Sequence, residues 1–231
     1  MTRLKLLFIS TLLLLISACG GGGGGGASGP VTSINTFDIQ AGWSRLISTG
    51  FTSTLNISGT CTGTFNLTEG AANSSTTFEG SPAISGNSVV NMTLSTSGCT
   101  PSTTSTETRY YDSNYKPLGY SVLGGSYGVW VTPPTFSNSA RVGDVVVVGT
   151  VNKYTDNTKS TSAGKQENSY VIEPDTATTA IANLITKNYN ASNILTSTEQ
   201  DKYRVAADGS LTLISIDIQY TNGSTTHLVM N

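Results

Sequence analysis

From Leu55 the apolar and small residues fall on alternate positions, Leu55, Ile57, Gly59, Cys61, Gly63, Phe65 and Leu67, with Thr, Ser and Asn between them. A period of two predicts a β-strand, and Gly59 and Gly63 inside it predict bulges or a bend. Ser88 to Thr96 repeats the pattern through Val90, Met92 and Leu94. Val145 to Val151 and Ser169 to Glu173 read the same way, the first as a strand buried on both faces. Thr176 to Asn188 is ambiguous. Ala177, Ala180, Ile181, Leu184 and Ile185 also fit helical spacing behind Asp175, but Thr178, Thr179 and the turn-like Asn190-Ala191-Ser192-Asn193 favour a strand.

The C-terminal end carries Asp208-Gly209 and Asn222-Gly223, dipeptides suited to two-residue hairpin turns. Counting outwards from them predicts three consecutive strands, with Tyr203 opposite Ile214, Ile216 opposite Val229 and Ile218 opposite His227. Val205 and Tyr220 join that face; Lys202, Arg204, Leu213, Asp217, Leu228 and Met230 take the other. The expected fold is all-β, with antiparallel sheets as a sandwich or open half-barrel and a C-terminal β-meander. Thr100 to Thr106, almost all Thr and Ser around Pro101, reads as a connector. It divides a β-domain over 36–231 into sub-regions 36–100 and 107–231, or is a wide loop within it.

The first thirty residues differ in kind. Arg3 and Lys5 precede an apolar run from Leu6 to Ile16 that is too short for the roughly 20 residues of a membrane-spanning helix. The run ends in Ile16-Ser17-Ala18-Cys19, which resembles the lipobox of bacterial lipoproteins. That resemblance implies a signal peptide over 1–18, cleavage before Cys19 and acyl chains on that residue. It also implies an envelope location, and Gly20 in place of an Asp points to the outer membrane. Several acyl chains together anchor a protein firmly. Gly20 to Pro30 lies within a tether over 19–35 and would hold the folded part roughly 18 Å from the lipid as a flexible coil.

Composition narrows the remaining classes. Charged residues make up 11% of the chain, so Ser, Thr and Asn must solvate most of the surface. The basic residues are scattered singly and leave an acidic mature chain, which excludes a nucleic-acid partner and a polybasic lipid patch. With Cys19 lipidated, Cys61 and Cys99 are an even pair in an oxidising compartment and are expected to form a disulfide; free thiols or a metal pair are the alternatives.

The signals for chemistry are sparse. His227 is the only histidine, and the predicted register sets it on the opposite face from Asp217, which disfavours a nucleophile relay. No ligand cluster points to a metal, and no motif to a cofactor. Asp112-x-Asn114 is a fragment of a calcium loop and reads better as a solvated turn. Glu107 with Asp112, or Glu173 with Asp175, are candidate carboxylate pairs for glycoside hydrolysis. The one local enrichment is aromatic: Tyr110, Tyr111, Tyr115, Tyr120, Tyr127 and Trp130 fall within 21 residues, candidates for contact with an envelope protein or glycan, or else strand residues packing the core. The expected role is that of a lipid-anchored envelope domain that binds something. An envelope hydrolase and a purely structural surface lipoprotein are the alternatives.

Overall fold

The computed structural model describes residues 31–99, 102–221 and 226–231. The expected signal region, Cys19, the glycine tract, Thr100, Pro101 and the Asn222-Gly223 dipeptide expected to turn the last hairpin lie outside the described residues. Among the described residues, one helix, α1 (Ile39–Thr49), precedes thirteen strands. These are β1 (Phe51–Gly59), β2 (Gly63–Glu69), β3 (Ser74–Phe78), β4 (Ser81–Leu94), β5 (Ser102–Tyr111), β6 (Pro117–Val122) and β7 (Tyr127–Trp130). Then follow β8 (Val145–Tyr154), β9 (Ser162–Pro174), β10 (Ala180–Tyr189), β11 (Leu195–Val205), β12 (Leu211–Tyr220) and β13 (His227–Met230).

All pairings are antiparallel, and two of them turn the sheet into a ring. β1 joins β13, with Ile57 opposite Met230. β2 bypasses β3 and joins β4, from Gly63 opposite Leu94 to Glu69 opposite Ser88. Twelve strands thus close a barrel. This corrects the expected sandwich or half-barrel: alternation says that a strand has two unlike faces and not which neighbours it takes. The Thr/Ser stretch expected as a connector is largely strand, since β4 and β5 pair from Ile84 opposite Tyr111 to Thr93 opposite Ser102.

The two ends of the barrel differ. At one, α1 lies among the turns, where Ala72 N donates to Ile47 O and Gln40 N to Ser137 O. The helix forms because Asp38 caps it, accepting from Ala41 N at 2.8 Å, and because Ile39, Trp43, Leu46 and Ile47 fall on one face. Gly50, at φ 69°, ends it and donates its N–H to Leu46 O. Residues 31–35, which composition placed in the tether, also pack here. Val31 bridges to Asp175, and the Ser33 hydroxyl donates to Ala177 O at 3.0 Å. At the other end the Cys61–Cys99 disulfide ties the β1–β2 turn to the segment after β4.

Several strand expectations change in detail. The long run from Leu55 is a hairpin, β1 and β2, turning at Thr60 to Thr62. Val145 and Val147 are 71% and 83% exposed, so β8 is buried on one face only. Residues 180–189 form a strand, with the Asn190–Asn193 turn after them. In the meander, Val205 lies opposite Leu211 and Tyr203 opposite Leu213, and a bulge then gives Lys202 opposite Ser215. The turn is five residues rather than two, with Gly209 at φ 78° after a Gly209 N to Ala206 O bond. β12 and β13 are displaced by one from the expected register, Ile216 facing Met230 and Ile218 facing Leu228. Leu213, Leu228 and Met230 therefore join Ile216 and Tyr203 in the interior core. A one-residue slip exchanges the faces of a strand.

The interior is apolar around Phe37, Ile39, Tyr170, Ile172 and Val205, all almost fully buried. Outward positions on the early strands are Thr, Ser and Asn: Thr52, Thr54, Asn56 and Ser58 on β1, and Thr64, Asn66 and Thr68 on β2. They bond across strands, as in Thr54 to Asn66 at 2.9 Å and Thr104 to Asn91 at 2.9 Å. On these early strands the outer face is polar, unlike the apolar outer band of a membrane-spanning barrel, whereas β8 exposes Val145 and Val147.

Candidate functional site

The barrel is not filled along its whole length. A cavity of about 330 Å³ opens in the lumen beside α1. Trp43 reaches it from the helix, packing on Phe136 at 5.3 Å and edge-on to Tyr203 at 5.8 Å. Trp130 and Tyr120 line it from β7 and β6. Both tryptophans of the chain therefore stand at this one cavity.

Alternation carries polar groups to the same place. On β5, Glu107, Arg109 and Tyr111 point inwards; on β11, Glu199, Asp201 and Tyr203 do. Arg109 bonds Glu107 Oε1 through Nε at 2.7 Å and Glu69 Oε1 through Nη1 at 2.9 Å. Glu69 is held in turn by the Ser88 hydroxyl at 2.9 Å. The Arg109 side chain is 40% accessible although strands enclose it on every side, so its accessible surface is cavity wall.

Four carboxylates thus share one guanidinium. Burial opposes the charge on Arg109, yet Glu107 and Glu69 beside it hold its pKa well above the ordinary value. Burial raises Glu69 despite Arg109. Glu199 and Asp201 are hydrogen-bonded to each other; burial raises both, and the Glu199 charge lifts Asp201 further. Two carboxyl groups placed this way favour a proton shared between them. Burial also pushes the Tyr111 hydroxyl up to about 12. Three of the residues lining the cavity carry an enclosed polar atom without a hydrogen-bond partner: Asp201 Oδ1, Asn168 Nδ2 and Trp43 Nε1.

The candidates from sequence are distributed differently. Trp130, Tyr111 and Tyr120 belong to the cavity, and Tyr115 packs against Ile47, Ala72 and Tyr111 at the turn after β5. Tyr110 and Tyr127 face outwards beneath the β3–β4 hairpin, where Phe78 stacks on Tyr110 at 4.5 Å. Tyr127 donates to Glu79 Oε1, and Glu79 pairs with Lys159. The six aromatics therefore form no single patch. Of the carboxylate pairs, Glu107 lines the cavity, whereas Asp112 accepts from Asn114 N and Lys116 N in a turn. Glu173 bonds Asn183 and Lys202, and Asp175 takes Arg204 at 2.7 Å.

His227 and Asp217 require a correction. The displaced register puts them on one face, and His227 Nε2 donates to Asp217 Oδ1 at 2.8 Å. The pair stands on the outer surface, away from the cavity. Among the described residues, no cluster of three or more His, Cys, Asp or Glu is placed to hold a metal.

Glu69, Arg109, Glu199, Asp201 and Trp43 were not singled out by sequence reasoning. The signal was present: charged residues on the inward phase of strands whose other inward positions are apolar or aromatic. No family model, curated protein or solved structure matches the chain.

Proposed function

We propose that this chain is a lipid-anchored binding protein of the bacterial cell envelope that takes a small ligand into its barrel lumen. The observation that carries the reading is the cavity. Its volume of about 330 Å³ falls at the lower end of small-molecule sites. Its walls combine aromatic rings with a few converging polar groups, three of which have unmet hydrogen-bonding atoms. A lumen serving only as core would be filled by side chains.

The address rests on the sequence. The Arg3 to Ile16 segment and the Ile16-Ser17-Ala18-Cys19 box support acylation at Cys19, with the outer membrane as the partner surface. The Cys61–Cys99 disulfide and the Thr/Asn outer face support an oxidising compartment and a water-exposed barrel. Loss of fatty-acid labelling in Cys19→Ala is the expected result for the anchor; label that persists refutes it.

A hydrolytic reading has one observation in its favour. Glu199 and Asp201 are hydrogen-bonded side by side in the cavity with both carboxyls raised by burial, an arrangement in which one can act as acid and the other as base. A single experiment addresses both readings. Small-molecule fractions of envelope extract are titrated into the full chain while the fluorescence of Trp43 and Trp130 is followed, and the bound compound is then recovered. A saturable change with unaltered compound supports binding, and conversion of the compound supports hydrolysis. No change with any fraction, in a chain that melts cooperatively, overturns the lumen as a site.

A further inference from the structure

Resting on the lumen as a ligand site, we propose that its ligand is a small organic cation, an amine with an aromatic or apolar body that carries an oxygen. Its ammonium lies against Glu199 and Asp201.

The charge arrangement selects the sign. Arg109 is hydrogen-bonded to Glu69 and Glu107; the β11 carboxyls feel its charge but have no cation bonded to them at the cavity. Asp201 Oδ1 accepts from nothing, although it is enclosed by protein. A buried acceptor without a donor costs roughly 1 to 3 kcal/mol, more when charged, and an ammonium supplies up to three donors. An anion would meet four carboxylates here, and a neutral body would leave the pair unmatched.

The walls select an organic cation rather than a metal ion. Trp43, Trp130, Tyr120 and Tyr203 present rings to the cavity, and ring faces attract desolvated organic ammonium groups. A calcium ion instead needs six to eight converging oxygens at short range. The volume equals the liquid share of about eleven waters, far more than one ion fills. Asn168 and Trp43 line the cavity, and their enclosed donors Nδ2 and Nε1 have no acceptor, which an oxygen on the ligand body would supply once the side chains turn to it.

The test uses three near-isosteric probes, tyramine (cation), tyrosol (neutral) and 4-hydroxyphenylacetate (anion), with choline and Ca²⁺ alongside, titrated calorimetrically into the full chain in mild detergent. Tyramine is expected to bind at least tenfold more tightly than tyrosol, choline, which has no N–H to donate, more weakly than tyramine, and the anion not at all. The double substitution Glu199→Gln, Asp201→Asn is expected to remove that preference and leave tyrosol binding within about twofold.

Should the double variant fail to fold, the native chain still decides. Displacing the shared proton makes tyramine binding strengthen from pH 5 to pH 8 and release protons, whereas tyrosol binding stays level. The other groups facing the pair are Glu69, Glu107, Arg109, Tyr111, Tyr120 and Tyr203; the tyrosines keep their protons throughout that range. Tyrosol or the anion binding as tightly as the amines overturns the cation alone and leaves the lumen as a site. Binding of Ca²⁺ without the amines also overturns it. If no probe of any charge binds, the cation is overturned together with the lumen reading.

Discussion

The stability of the barrel is expected to fall as pH rises from 5 to 8, and the cause is the lumen. In an unfolded chain Glu199 and Asp201 titrate near 4.5 and 3.8; in the fold, burial raises both. Above about pH 4 the native state therefore holds more protons than the unfolded one, and stability declines with pH until the folded-state pKa values are passed. Each pH unit over which one extra proton is held costs about 1.4 kcal/mol. Against a total of roughly 5 to 15 kcal/mol that is readily measured. Glu69, also raised by burial, adds to the same trend. Asp175, held low by hydrogen bonds from Arg204, and Glu79, held low by Lys159, act in the opposite direction, but their stabilisation is complete by about pH 5. Urea unfolding at pH 5, 6, 7 and 8, read by the fluorescence of the two tryptophans, checks this. Asp201→Asn is expected to flatten the slope and to stabilise the protein at pH 8. A stability that is level or rising over this range, or an unchanged slope in the variant, refutes the argument.

Three further outcomes are expected. Gly42→Ala, stabilising by about 1 kcal/mol in an open helix, is expected to destabilise here because a Cβ would run into the Gly209 carbonyl oxygen; thermal melting gives the sign. Replacing Cys61 and Cys99 by Ala opens a link of sequence separation 38 and is expected to cost about 4 kcal/mol in the chain-entropy treatment, seen as a lower urea midpoint. His227→Gln breaks a half-exposed pair with Asp217 and is expected to change stability by less than about 1 kcal/mol; a loss of 2 or more would show that the outer-surface pair is structural.

What could be read from the sequence was mostly local. Val90, Met92 and Leu94 alternate because β4 has one apolar face, and the disulfide followed from an even cysteine count in the expected compartment. Register was less legible. The Asp208-Gly209 turn uses five residues, and the extra residue Ile214 is absorbed as a bulge, so counting from a dipeptide was correct on one side of the bulge and wrong on the other. Closure was not legible at all, because the pairing of β2 with β4 depends on β3 being set aside. The helix carried signals at Asp38, at Ile39, Trp43, Leu46 and Ile47, and at Gly50, which the prevailing period of two overshadowed. The cavity was hidden for a related reason: Glu199 and Asp201 share an inward phase with Tyr203 and Val205, but a charged residue on a strand normally marks the solvent face.

The closing contact between β1 and β13 also bears on how the protein is made. Apart from that pair and the β2–β4 pair, every neighbour in the ring is also the next strand in the chain, so most of the wall can assemble as successive hairpins. Ile57 and Met230 are about 170 residues apart, and bringing such distant segments together costs roughly 4 to 5 kcal/mol of loop entropy before any contact compensates it. Until β13 arrives, β1 and β12 present unpaired edges and the lumen has no fourth wall. Biogenesis therefore ends in a single late zipping event, and a chain arrested before it would expose the edge strands that folding helpers recognise.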